Sequence, residues 1–218
     1  QTAPTANQSM PNPDETKWLG ARLAAWAAGL RYEDLPPIVV AKAKGLLLDT
    51  LSVGWAGSGA EGIAALRGFV QAQGGAAESS VWSFGGRVPA PQAAFLNGAM
   101  AAALDFDSVH DLAGAHSDIV VIPAVLALAE RERLSGREFL AAYAAGSEIL
   151  VRLSLAIRSR PGWFYSSVLG VFGAAAGAAR ALGLDAVRAR HAMGVALSRA
   201  AGTQQTLAER SLTKCLQS

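Results

Sequence analysis

Three carboxylates (Asp105, Asp107, Asp111) and two of the three histidines (His110, His116) fall within residues 105–116, DFDSVHDLAGAH, the one stretch that sets more than one histidine among carboxylates. Such a set can do proton-transfer chemistry. An imidazole titrates near neutrality, and a carboxylate beside it fixes its orientation, so the pair can take a proton from a substrate or return one. A loop between two helices presents these groups without burying them unpaired. The competing reading is a solvated connection in which an Asp caps the next helix. His110 fits that second reading, and so does His191, which sits mid-helix among arginines.

Helices must hold this loop. Pro36 and Pro37 open a segment, IVVAKAKGLLLDTLSVGWA, in which Lys42, Lys44 and Asp49 mark a wet side and the aliphatics a buried one. A shorter segment, EGIAALRGFVQAQGG, closes on Gly74 and Gly75, and from Pro91 QAAFLNGAMAAAL leads into the acidic loop. Beyond His116, IVVIPAVLALAERERL is helical. Ser135 and Glu138 form a capping box for the next helix, Gly183 stops the one after, and Asp185 caps AVRARHAMGVALSRAAG, expected to run to Gly202. Asp14 is expected to cap the first helix, ending at Gly29. SSVWSF is the one credible strand, read as an isolated edge piece. About eight helices against one short strand predict an all-α fold, with residues 1–13 a polar tail and residues 14–218 one helical domain.

Several function classes are excluded. Basic residues exceed acidic ones by only two and are scattered, which gives no footprint for nucleic acid. The single cysteine allows neither an internal disulfide nor a thiolate metal cluster. Residues 88–104 and 161–179 are uncharged for most of their length but rich in Ala and Gly, so they read as buried helices rather than membrane spans. Gly173 and Gly177 suit a close helix crossing. Gly57, Gly59 and Gly62 satisfy the G-x-G-x-x-G spacing of a dinucleotide turn, yet a helical segment precedes them where a strand is required. A connection between helices accounts for them better.

Four segments in order, LLLDTLSVGWAGS (46–58), AAFLNGAMAAALDFDSVH (93–110), the stretch 116–130 ending PAVLALAE, and GWFYSSVLGVFGAAAGAARALGLD (162–185), resemble the MmgE/PrpD family. The resemblance implies a helical fold, a homodimer, no metal or organic cofactor, and reactions such as dehydration of 2-methylcitrate, decarboxylation of cis-aconitate or epimerisation of iminodisuccinate. Asp105 matches the first Asp of the family's DFDD stretch, His116 the His of its HPS element, and Lys214 an active-site lysine. The resemblance assigns these three to catalysis. Val109 stands where Thr is common and Phe164 where a GFH-type motif has its His. Ala102 replaces another common His, and Ser117 and Asp118 replace Pro-Ser. Phe cannot carry a proton and Val cannot donate a hydrogen bond, so these positions would line the substrate rather than react with it.

The chemistry so implied is a lyase or isomerase reaction beside a carboxylate of a small di- or tricarboxylate. It passes through a carbanion-like species and needs a base, an acid and a cation. Lys214 would bind a carboxylate, His116 would relay a proton, and Asp105 would orient one of them. The helix starts after His116 and at Ser166 and Ser167 would aim free N–H groups at the anion. A common cavity for Asp105, His116 and Lys214, walled by Phe164, is expected. The family's proteins are about twice this length and carry an α/β lid, so the chain is expected to be the N-terminal part of the helical domain, with exposed apolar faces and a cytoplasmic location. The alternative is a helical scaffold protein descended from such an enzyme.

Overall fold

The computed structural model describes residues 18–157 and 162–208. The fold is all-α: α1 (Leu19–Gly29), α2 (Pro37–Gly57), α3 (Ile63–Gln73), α4 (Ala90–Ala102), α5 (Asp118–Glu132), α6 (Gly136–Ala156), α7 (Tyr165–Ala181), α8 (Ala186–Leu197) and the single turn α9 (Gln205–Ala208). A two-stranded antiparallel hairpin, β1 (Ser79–Ser80) and β2 (Arg87–Val88), separates α3 from α4.

Local signals set these boundaries. Pro37 stands at the first position of α2, where its missing N–H has no helical partner to lose. Gly74 (φ 63°) and Gly183 (φ 63°) end α3 and α7 in the left-handed region. Asp185 accepts the Arg188 N–H at 2.8 Å. Ser135 and Glu138 cap α6 reciprocally, with the Ser135 N–H donating to Glu138 at 2.8 Å and the Glu138 N–H donating to Ser135 Oγ at 3.3 Å. Ser135→Ala should therefore cost about 1 kcal/mol, measured as a shift in urea midpoint at unchanged slope.

Two expectations are corrected, and a third lies outside the described residues. The strand in SSVWSF is not isolated: Ser79 and Ser80 pair with Val88 and Arg87. Val81 and Trp82 then leave the strand because Trp82 is needed against α2, where a Cβ on Gly54 would stand 2.8 Å from its ring, and because its N–H donates to Asn97 of α4 at 3.0 Å. The last long helix stops at Leu197 rather than Gly202, its end closed by the Ser198 hydroxyl on Val195 O at 2.8 Å. Leu19 is the first helical residue described, and Asp14 lies outside the described residues, as does the expected polar tail.

The central element is α5. Its apolar run packs on α4 from one side and on α6 and α7 from the other. Pro123 deprives the Ile119 carbonyl of its helical N–H partner, and α4 crosses at that point on Gly98, where a Cβ would stand 3.3 Å from Ile119 O. The crossing of α6 and α7 is closer. A Cβ on Gly146 would lie 2.6 Å from Gly173 O, and one on Gly177 would lie 2.7 Å from Val125 of α5. The predicted Gly173/Gly177 contact is thus a three-helix junction. It also uses the composition of α6, which has the length and hydropathy of a membrane span but buries Phe139, Leu140, Tyr143, Ile149 and Leu150 within the protein.

The G-x-G-x-x-G spacing dissolves into separate roles. Gly57 ends α2 where it touches α4, Gly59 faces open space, and Gly62 (φ 84°) turns the chain into α3.

Candidate active site

The loop of residues 103–117 joins α4 to α5, so both of its ends are anchored in buried helices. It turns first at Asp105, a non-glycine residue in the left-handed region (φ 59°) with an exposed position. It then makes a tight reversal in which the His110 N–H donates to Ala115 O at 3.1 Å and the Gly114 N–H to His110 O at 2.7 Å. The His110 ring accepts the Ala113 N–H at 3.2 Å, so it helps to close the loop. Gly114 (φ 56°) supplies the backbone conformation the reversal needs.

That reversal returns His116 to the residues just after Asp105. The His116 Nδ1 lies 2.6 Å from Asp107 Oδ2 and 3.1 Å from Ser108 O. Both neighbours only accept, so Nδ1 carries the proton and Nε2 is left to exchange one. The Asp107 side chain is 2 % exposed and that of His116 is 24 % exposed, a pair whose acid is buried and whose ring reaches the surface. Asp107 raises the affinity of the imidazole for its proton above the ordinary value, against the opposing effect of burial. Among the described residues, Asp107 Oδ1 is buried without a hydrogen-bond partner, and Oδ2 carries the contact to the ring. The carboxylate seated on the imidazole is therefore that of Asp107, in the orienting role assigned by resemblance to Asp105.

A second polar cluster lies directly behind. Asp118, 4 % exposed in the first turn of α5, accepts hydrogen bonds from Ser108 Oγ, from Ser117 Oγ at 3.0 Å and from Tyr143 of α6 at 2.5 Å. Ser147 donates to Ser117 at 2.9 Å. Burial, and then the Asp118 charge, push the Tyr143 phenol far up, which keeps it a donor. Neither Asp118 nor Tyr143 stood out in the sequence as a site residue. The available signal was an acid opening an otherwise apolar helix, which demands buried donors.

The start of α7 completes the arrangement. Ser166, 1 % exposed, accepts the His116 backbone N–H at 3.1 Å, and Ser167 donates to Ala201 O at 2.6 Å. Both hydroxyls are thus engaged by backbone. Phe164 is buried, and its N–H donates to Gly202 O at 3.1 Å, while the Gln204 N–H donates to Gly162 O at 2.9 Å. The segment after α8 accordingly returns to the end of α7 that holds His116. Val109 is exposed on the loop. Lys214 lies outside the described residues. Two grooves lie elsewhere: one between α3 and the hairpin, lined by Arg67 and Arg87, and one of about 630 Å³ between α1, α2 and α6, with Tyr143 and Ser147 among its lining residues.

A helical domain thus presents an acid–imidazole pair on a loop between two buried helices, and the comparisons give its family. The chain belongs to the MmgE/PrpD family: the MmgE/PrpD N-terminal domain matches residues 21–216. It is 32 % identical over 181 residues to cis-aconitate decarboxylase of Mus musculus, covering 79 % of this chain and 37 % of that protein. It is 31 % identical over 209 residues to the cis-aconitate decarboxylase-like protein oryM of Aspergillus oryzae, covering 91 % and 42 %. The Homo sapiens cis-aconitate decarboxylase is 32 % identical over 181 residues, 79 % of this chain and 37 % of that protein. The chain thus spans less than half the length of the curated relatives it matches.

Proposed function

We propose that this chain supplies the helical part of a cofactor-independent lyase or isomerase site acting beside a carboxylate of a small di- or tricarboxylate. The observation that carries the reading is the Asp107–His116 pair, buried on the acid side and open on the imidazole side. Relatives named as cis-aconitate decarboxylases support the substrate class. In a decarboxylation the C–C bond to the departing carboxyl breaks, carbon dioxide leaves, and the electron pair stays on the adjacent carbon, spread into a neighbouring unsaturated or carboxylate group. His116 would deliver the proton that quenches it from Nε2, with Asp107 balancing the imidazolium. In a dehydration the same nitrogen would serve the departing hydroxyl.

Lys214 would bind a substrate carboxylate and stabilise the developing charge. That role rests on the family resemblance, since Lys214 lies outside the described residues. Val109 and Phe164 would bound the substrate with apolar groups, favouring a ligand less polar on that side than one held by Thr and His. The same reading includes a homodimer, supported by exposed apolar residues such as Ile38, Leu48 and Trp55 along α2.

The test is a screen of the full-length protein against cis-aconitate and citrate-like acids, with products followed by NMR. Turnover of one of them is expected, and Lys214→Ala should lower kcat roughly a hundredfold. Failure to bind or convert any member of the set would overturn the assignment.

A further inference from the structure

We propose that Asp118 is a positioning residue for His116, acting through the Ser108 hydroxyl to fix the strip of loop that holds the imidazole. The contacts form an unbroken series. Asp118 is planted in the first turn of α5, buried at 4 % exposure, and Tyr143 of α6 donates to it from a second helix. Ser117, itself held by Ser147, adds a third donor. Onto this base the loop is attached by the Ser108 side chain, which donates to Asp118 Oδ2. The carbonyl of that same Ser108 accepts from His116 Nδ1, and the residue before it is Asp107, the imidazole's carboxylate partner.

The physical need is plain. Asp107 and Ser108 belong to the loop of residues 103–117, and holding such a loop in one conformation costs entropy that an anchor must offset. A tether at Ser108 fixes both acceptors at once, because they are on adjacent residues. Among the described residues, the groups that act on the imidazole are the Asp107 carboxylate and the Asp107 and Ser108 backbone, so loosening Ser108 alters them together. The role of Asp118 in turnover rests on the proposed function; its role in holding His116 does not.

The experiment is a pH titration of His116 by 1H–15N NMR in the full-length protein, for wild type, Asp118→Asn and Ser108→Ala. Both variants should release the ring from Asp107, with the His116 pKa falling toward the ordinary imidazole value and the Nδ1–H tautomer losing its preference. Ser108→Ala cuts only the tether and leaves the buried cluster otherwise intact, so it decides the matter alone if Asp118→Asn does not fold. A His116 titration and tautomer unchanged from wild type in folded Ser108→Ala would overturn the proposal, leaving Asp118 a purely structural group. Absence of turnover in the wild-type protein would instead end the functional assignment and leave the titration result standing.

Discussion

In the full-length protein His116→Ala should lower kcat by about two to four orders of magnitude, the range for loss of a positioned general acid or base. Asp107→Asn should reduce kcat as well, because it removes the charge that balances the imidazolium and replaces a charged acceptor of the Nδ1–H with a weaker neutral one. The pH profile adds a sign. If His116 acts as the acid, activity falls as pH rises through its raised pKa, and Asp107→Asn moves that falling limb to lower pH. Stability follows the same direction. A histidine whose folded pKa is raised contributes stability that is fully present below its unfolded pKa and lost as pH rises through the folded one. Urea unfolding of wild type and Asp107→Asn across this window should show the two curves converging on the alkaline side. Parallel curves would mean that the pair is not ionic in solution.

Gly57→Ala should be the most damaging single methyl in the fold. The new Cβ would stand 2.1 Å from Met100 O and 3.1 Å from Met100 C, both backbone atoms of α4 that cannot rotate away. Relief requires α2 to lift from α4, at a cost of about 3 kcal/mol or more, so the melting midpoint should fall by roughly 6–12 °C for a chain of this size. Gly59→Ala, with nothing within 4 Å of its Cβ, should stay within about 0.5 kcal/mol of wild type. The contrast separates a helix crossing, where only the glycine at the contact matters to stability, from a phosphate-cradling turn, where both glycines would matter to ligand binding.

Helix boundaries were legible because their determinants are local. Pro37, the Ser135/Glu138 box, Gly183 and Asp185 each act within one turn of the end they define. The hairpin was half legible: Arg87 and Val88 are too short a run to read as a strand, and they become one by pairing with Ser79 and Ser80. His116 is picked out as an acid–base residue by the family resemblance, since residue type alone does not separate it from His110. Its true carboxylate partner is not, since the choice among Asp105, Asp107 and Asp111 depends on the path of the loop. That path is set by the His110–Ala115 reversal and by an anchor on α5 held in turn by Tyr143 of α6, and no spacing rule reports contacts of that range. Of the three residues expected to share one cavity, Asp105 and His116 lie on the same loop, and Lys214 falls outside the described residues.

The backbone-to-backbone junction at Gly146, Gly173 and Gly177 has a consequence for how such a protein diverges. The three helices that meet there carry Asp118, Tyr143 and Ser166, so any drift at the junction would displace the anchors of the loop together. A side chain of even one carbon is too large for it, which closes that route to gradual change. Val109, exposed on the loop of residues 103–117, is under no such restriction. Substitutions at such a position would alter what lines the loop while leaving the helices that anchor the Asp107–His116 pair in place.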